Sequence, residues 1–331
     1  MGARLCIGTY TDGGSRGIYH AVWRDEALHI TGCTGAVNPS YLAVDGDRLY
    51  AVRETGDGGV AVYRVATGGA LALTGERPVG GDAPCHVCVA GNRLYVSNYA
   101  SGTLAVFDMD GAGELAPLPR VIAHEGRGLH ATRQQAPHVH QALPSPDGRF
   151  LAVCDLGIDA VCFYPLDARG VHEPAQPVPM PGGAGPRHMA FGADGCWYVL
   201  CELSCEVLAY RGYGSDAKLM QGCGALRGGD PESIGAAVRL SPDGKLLLAS
   251  VRGANTLALW DVSPEGTLSG ARWFDARGDW PRDAAFTPDG GHVLCACERG
   301  DRITAFAVRS SSLAFVGETP VPAPTCICFV P

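Results

Sequence analysis

Several charged side chains in this sequence stand where their neighbours are apolar, and charge is out of place there unless something uses it. GAGPRHMAF (183–191) sets Arg187 and His188 between a glycine-proline lead-in and an apolar run, the pattern of a loop entering a buried strand. WPRDAAF (280–286) repeats the arrangement with Arg282, SVRGAN (250–255) ends a strand-like run on Arg252, and WYVLCE (197–202) is apolar up to Glu202. PHVHQAL (137–143) adds His138 and His140, two residues apart, so that on a strand one is free to face a site and the other a core. A carboxylate beside an arginine in a recess is held ionised and oriented, and guanidinium forks match carboxylate or phosphate. Together with a histidine these groups suit acid-base chemistry on a small anion.

What would bring residues so far apart in sequence together is a repeat. NPSYLAV (38–44), APCHVCV (83–89), APHVHQAL (136–143), GPRHMAF (185–191), SIGAAVRL (233–240), WPRDAAF (280–286) and APTCICFV (323–330) align at a spacing of 43 to 53 residues. Most copies are followed by a turn pair such as Asp45-Gly46, Asp147-Gly148 or Asp243-Gly244 and then a second strand, such as LYAVRE, FLAVCD or VLCACE. Third strands (GVAVYRV, NTLALWDV) and weaker fourth strands (ALALTGERPV, SLAFVGETPV) complete a four-stranded blade. The seventh copy lacks its later strands, and LCIGTY, GIYHAVW and ALHITG near the N-terminus have their patterns. The expectation is an all-β, seven-bladed propeller forming a single domain over 1–331, its last blade closed by both ends of the chain.

In such a fold two rings of positions face one mouth of the central channel. The residue after each proline gives Ser40, Cys85, His138, Arg187, Gly235, Arg282 and Thr325; the end of each second strand gives Tyr10, Glu54, Tyr99, Asp155, Glu202, Arg252 and Glu298. His138 is favoured over His140 because it shares the repeat position of Arg187, and His188 reads as a packed histidine bonded to a neighbouring blade. Asp155 has a second reading as a turn-fixing residue, and Glu298 as a partner of Arg299 or Arg302. The loop RVIAHEGRGLHATRQQ (120–135) brings Arg127, His130 and Arg133 over the same mouth, either as substrate rim or as an ordinary solvated loop.

Composition excludes other classes. A formal charge of −8 and a pI near 5.7 give no footprint for nucleic acid. No run is long and apolar enough to cross a bilayer, and MGARLCIGTYT does not have the build of a secretory leader, so no membrane partner and a cytoplasmic location are expected. The fourteen cysteines alternate inside apolar runs and read as small buried side chains. Cys85-x-x-Cys88 lacks a second ligand pair, so no metal is expected, and no cofactor motif is present.

The motifs IGTYT (7–11), LYVSNYASGTLAVF (94–107), RQQAPHVHQALPSPDGRFLAVCDLGID (133–159), GAGPRHMAF, SPDGKLLLASVRGANTLALW (241–260) and WPRDAAFTPDG (280–290) resemble the lactonase family of seven-bladed propellers. That family includes bacterial 6-phosphogluconolactonases and fungal 3-carboxy-cis,cis-muconate lactonising enzymes. The resemblance covers nearly the whole chain. It implies catalytic roles for His138, Arg187, Glu202 and Arg252, with Arg282 competing for the second arginine's place; Arg282, Asp155, Arg133 and His86 join them as substrate-binding residues. It implies a small anionic lactone as partner, 6-phosphoglucono-1,5-lactone first, opened by a His/Glu acid-base pair while arginines hold the anion. Muconate cycloisomerisation and a non-catalytic protein-binding platform are the alternatives. The fifth repeat, GGDPESIGAAVRL, departs from the family pattern by lacking the usual proline lead-in.

Overall fold

The computed structural model describes residues 2–228 and 232–330; three residues of the fifth repeat's lead-in, 229–231, lie outside the described residues. Seven antiparallel sheets follow one another along the chain, six of four strands and one, the third, of five. The N-terminal strand Ala3–Thr9 pairs with the C-terminal strand Pro324–Val330, from Arg4 opposite Val330 to Thr9 opposite Pro324. This joint closes the ring and leaves the last blade no unpaired inner edge.

The turns that build the blades are held by their own side chains. In SPDGR, Ser145 Oγ donates to Asp147 Oδ1 at 2.6 Å, Asp147 Oδ1 accepts from the Arg149 amide at 3.1 Å, and Gly148 takes φ 69°. Ser241 with Asp243 and Thr287 with Asp289 repeat the same bond at 2.7 and 2.6 Å. Between sheets the alternating apolar residues interlock. Trp197 of the fourth blade stacks on Tyr210 at 4.3 Å and meets Phe163 of the third edge-on at 5.3 Å, both indole and phenyl fully buried.

One backbone bond recurs at the mouth and defines equivalent positions. The residue after each second strand donates its amide to the carbonyl before the innermost strand: Glu54 to Asn38, Tyr99 to Ala83, Glu202 to Gly185, Glu298 to Trp280 and Tyr10 to Ala323, at 2.6 to 3.1 Å. The accepting residues have left-handed backbones, φ 39° to 66°. Two residues further on, a bulge turns one side chain into the channel mouth: Cys85, Arg187 and Arg282 in the second, fourth and sixth blades.

The third blade corrects the expected alignment. There the recurring bond runs from Leu156 to the His138 carbonyl at 3.0 Å, and the bulge falls between Val139 and Gln141. His140, not His138, is therefore the counterpart of Arg187, with Val139 in the proline's place. Leu156, not Asp155, is the residue after the second strand and the counterpart of Glu202, and a one-residue shift on a strand reverses the facing of a side chain. In the fifth blade Gly235 likewise stands in the proline's place, and Ala236 follows it.

Candidate active site

Glu202 is the centre of the mouth. Its chain position puts it one residue past the buried strand Cys196–Cys201, and only 2 % of it is exposed. Arg252 Nη2 donates to its Oε2 at 2.7 Å, Arg187 Nε stands 2.9 Å from the same oxygen, and Arg133 of the long third-blade lead-in bonds Oε1. Thus four residues from two blades and a loop, 133, 187, 202 and 252, form one cluster.

Its electrostatics follow from three cations sharing one anion in a desolvated place. Burial opposes ionisation of Glu202, but Arg252, Arg187 and Arg133 outweigh it and hold the carboxyl well below the usual carboxylate range. Arg187 is pulled down to about 10, by burial first and by Arg252 next. Arg187 and Arg252 each donate to a backbone carbonyl as well, Ala236 O and Gly235 O, both at 2.6 Å. Their Nε–H groups, though buried, have no acceptor in hydrogen-bonding geometry. Buried guanidinium donors without acceptors are costly when empty and suit an incoming oxyanion.

His138 joins this cluster through Tyr99. The two rings stack at 4.5 Å and 15°, and Arg133 Nη2 donates to the Tyr99 hydroxyl at 3.1 Å. His138 Nδ1 lies 2.9 Å from the Tyr99 carbonyl. A carbonyl only accepts, so Nδ1 carries a proton, and in the neutral ring that leaves the lone pair on Nε2.

Asp155 stands behind His138 rather than beside a substrate. It has no exposed surface; Oδ1 accepts from the amides of His138 at 2.7 Å and Gly157 at 2.9 Å, and Oδ2 from His124 Nδ1 at 2.7 Å. Of its two expected roles this geometry matches the turn-fixing one, for the reason of facing given above.

Arg282 forms a second corner. Its Nη2 donates to the Tyr10 hydroxyl at 2.5 Å and its Nη1 to Glu298 at 3.3 Å; Tyr10 in turn donates to Glu54 at 2.9 Å, which also accepts from Ser40. Glu298 thus pairs with Arg282, not with Arg299 or Arg302. Two acids against one arginine leave this corner anionic, whereas the Glu202 corner carries excess positive charge. Arg187 and Arg252 are accordingly the better placed pair for an anion.

His86 lies away from the mouth. It is the residue after the bulged Cys85, its ring stands 4.3 Å from Tyr41, and it is 2 % exposed. His188 occupies the same level, 6.0 Å from His86 and 5.3 Å from His140, and neither of its ring nitrogens has a hydrogen-bond partner, so it is not bonded to a neighbouring blade. Arg239 completes this layer, donating to Asp283 at 2.7 Å and to Tyr41 at 3.1 Å. Burial foremost, with Arg187 and Arg239 adding to it, holds His86 and His188 well below the usual histidine range, so both are neutral. Cys85 and Cys88 point apart: Cys85 Sγ approaches His140 Nδ1 at 3.8 Å, while Cys88 packs in the core between the second and third blades.

Two residues at this mouth, His140 and Trp280, are not among the expected site residues. His140 is reached by counting from the second strand's end instead of from Pro137. Trp280 is reached by noticing that its counterparts before the other innermost strands are Asn38, Ala83, Gly185 and Ala323, all smaller.

Comparison with known proteins identifies the family of the chain. The family model described as "Lactonase, 7-bladed beta-propeller" matches residues 4–329. A 6-phosphogluconolactonase of Bacillus subtilis is 32 % identical over 98 % of this chain and 97 % of its own length. The solved structure of a periplasmic gluconolactonase of Pseudomonas aeruginosa is 31 % identical and superposes with a TM-score of 0.92 over 99 % of both chains. A Lactobacillus plantarum protein, 29 % identical, superposes with a TM-score of 0.93 over the full length of both.

Proposed function

From the premise that this chain belongs to the lactonase family of seven-bladed β-propellers, we propose that it hydrolyses 6-phosphoglucono-1,5-lactone to 6-phosphogluconate, using His138 as base and Arg187 and Arg252 as oxyanion donors. The observation that carries this reading is the cluster of Arg133, Arg187 and Arg252 on the buried Glu202, in which the Nε–H groups of Arg187 and Arg252 have no acceptor in hydrogen-bonding geometry.

His138 Nε2 takes a proton from water as the water oxygen bonds to the lactone carbonyl carbon. The carbonyl oxygen becomes an oxyanion, and Arg187 and Arg252 donate to it. Collapse of the tetrahedral species breaks the bond to the ring oxygen, and the imidazolium returns its proton to that leaving alkoxide. Glu202 is a poor base, since three arginines hold it ionised; its work is to fix the guanidinium groups in place.

A cytoplasmic location belongs to the same proposal. Buried thiols without disulfides suit a reducing compartment, and no helix among the described residues is long and apolar enough to cross a membrane.

The test is an assay of 6-phosphogluconolactone opening, corrected for the spontaneous rate, with Arg187→Ala, His138→Asn and Glu202→Gln beside the wild type. The expected losses are about 10²–10⁴-fold for the base and about 10²–10³-fold for an oxyanion donor. A wild-type rate equal to buffer ends the proposal, and unchanged activity in all three variants ends the site. Formation of a lactone from a cis,cis-muconate in place of hydrolysis would transfer the same residues to the cycloisomerase reaction.

A further inference from the structure

Trp280 is the one bulky side chain among the left-handed residues that precede the innermost strands. It holds φ 62°, where Asn38, Ala83, Gly185 and Ala323 stand in the other blades. A large aromatic residue rarely takes that conformation, and strain of this kind gathers where a side chain is used. Its backbone is fixed on both sides: its amide donates to Asn255 Oδ1 at 2.8 Å, and its carbonyl accepts from Glu298 at 3.0 Å. The indole is half-exposed at the mouth.

Two guanidinium groups flank this ring. That of Arg252, bonded to Glu202, lies 5.6 Å from the ring centroid, and that of Arg299 lies 3.4 Å from it. Arg299 is exposed and makes no hydrogen bond or ion pair among the described residues. Its charge is therefore uncommitted, unlike those of Arg282 and Arg133, which Tyr10, Glu298, Tyr99 and Glu202 already engage. A guanidinium lying flat on an aromatic face keeps its N–H edges outward and loses little further freedom on binding.

We propose that Arg299, held on Trp280, is the subsite for the phosphate of a phosphorylated sugar lactone, and that this stack sets the preference for phosphorylated over unphosphorylated lactones. The Trp280 ring, near both guanidinium groups, links this subsite to the Glu202 cluster through Arg252. Arg127 is exposed on the long third-blade lead-in, and no aromatic ring holds it among the described residues. This inference rests on the lactonase reading.

The experiment measures kcat/KM for 6-phosphoglucono-1,5-lactone and for glucono-1,5-lactone and takes their ratio. Arg299→Met lowers that ratio about tenfold or more, the size of one charge-assisted contact. Trp280→Gly lowers it in the same direction, and folds, because the fourth blade carries glycine at this position with φ 66°. Trp280→Phe keeps an aromatic face and restores most of the ratio. A ratio unchanged in Arg299→Met and Trp280→Gly, with the wild type active on the phosphorylated lactone, overturns this inference alone. A wild type active on neither lactone overturns the lactonase reading and this inference with it.

Discussion

Three guanidinium groups around one carboxylate leave net positive charge in a place with little water, and that is stable only while the carboxylate stays ionised. Glu202→Gln should cost roughly 3–5 kcal/mol at pH 7, the range for removing one partner from a buried charge cluster. The pH dependence has a definite sign. The folded value of Glu202 lies below its unfolded one, so its stabilisation is complete above about pH 4.3 and is lost as pH falls through the lower folded value. Urea midpoints of wild type and Glu202→Gln should therefore differ widely at pH 7 and draw progressively together as pH falls below about 4.3; a gap of constant size would mean that the carboxylate is not held by its charge. Arg187, Glu202 and Arg252 were legible in the sequence because each interrupts an apolar run, and an interruption at a strand end has one place to go. Arg133 was legible only as a rim residue, since nothing in a loop's composition tells which acid it reaches.

At the scale of the element, strand register decides which histidine does what. The blades and their closure could be read from spacing and turn pairs because those are local and repeat. The third blade was misaligned by two residues because Pro137 looks like the other strand-opening prolines, while the recurring bond from Leu156 to His138 places Val139 in that role. No property of PHVHQAL announces that; it depends on a hydrogen bond between two strands. A one-residue displacement on the second strand puts Asp155 behind His138, where it receives the His138 and Gly157 amides. Asp155→Ala should leave those buried donors unpaired, cost about 2–4 kcal/mol and loosen the backbone that presents His138. Kinetics separate this from general damage: kcat should fall well beyond any change in KM, and Asp155→Asn, which keeps one acceptor, should recover part of it. An equal loss in both variants, confined to KM, would argue against a positioning role.

For the whole molecule, what matters is the contrast between a chain of net charge −8 and a mouth whose Glu202 corner is cationic. Blade symmetry creates the contrast, because it gathers arginines from the third-blade lead-in and the fourth, fifth and sixth blades at one opening while the acids of the outer strands face solvent. An anionic lactone should be drawn to that cationic corner over the rest of a negatively charged molecule. Salt should weaken that focusing, since the screening length shrinks from about 30 Å at 0.01 M to about 8 Å at 0.15 M. The KM for 6-phosphogluconolactone should then rise roughly three- to tenfold over that range, with kcat nearly unchanged because the oxyanion donors are buried and little screened. Neutral glucono-1,5-lactone is the internal control, as it has no charge to steer. If both substrates respond alike, salt is acting on the protein's conformation, and attraction of an anion to the mouth is not what sets KM.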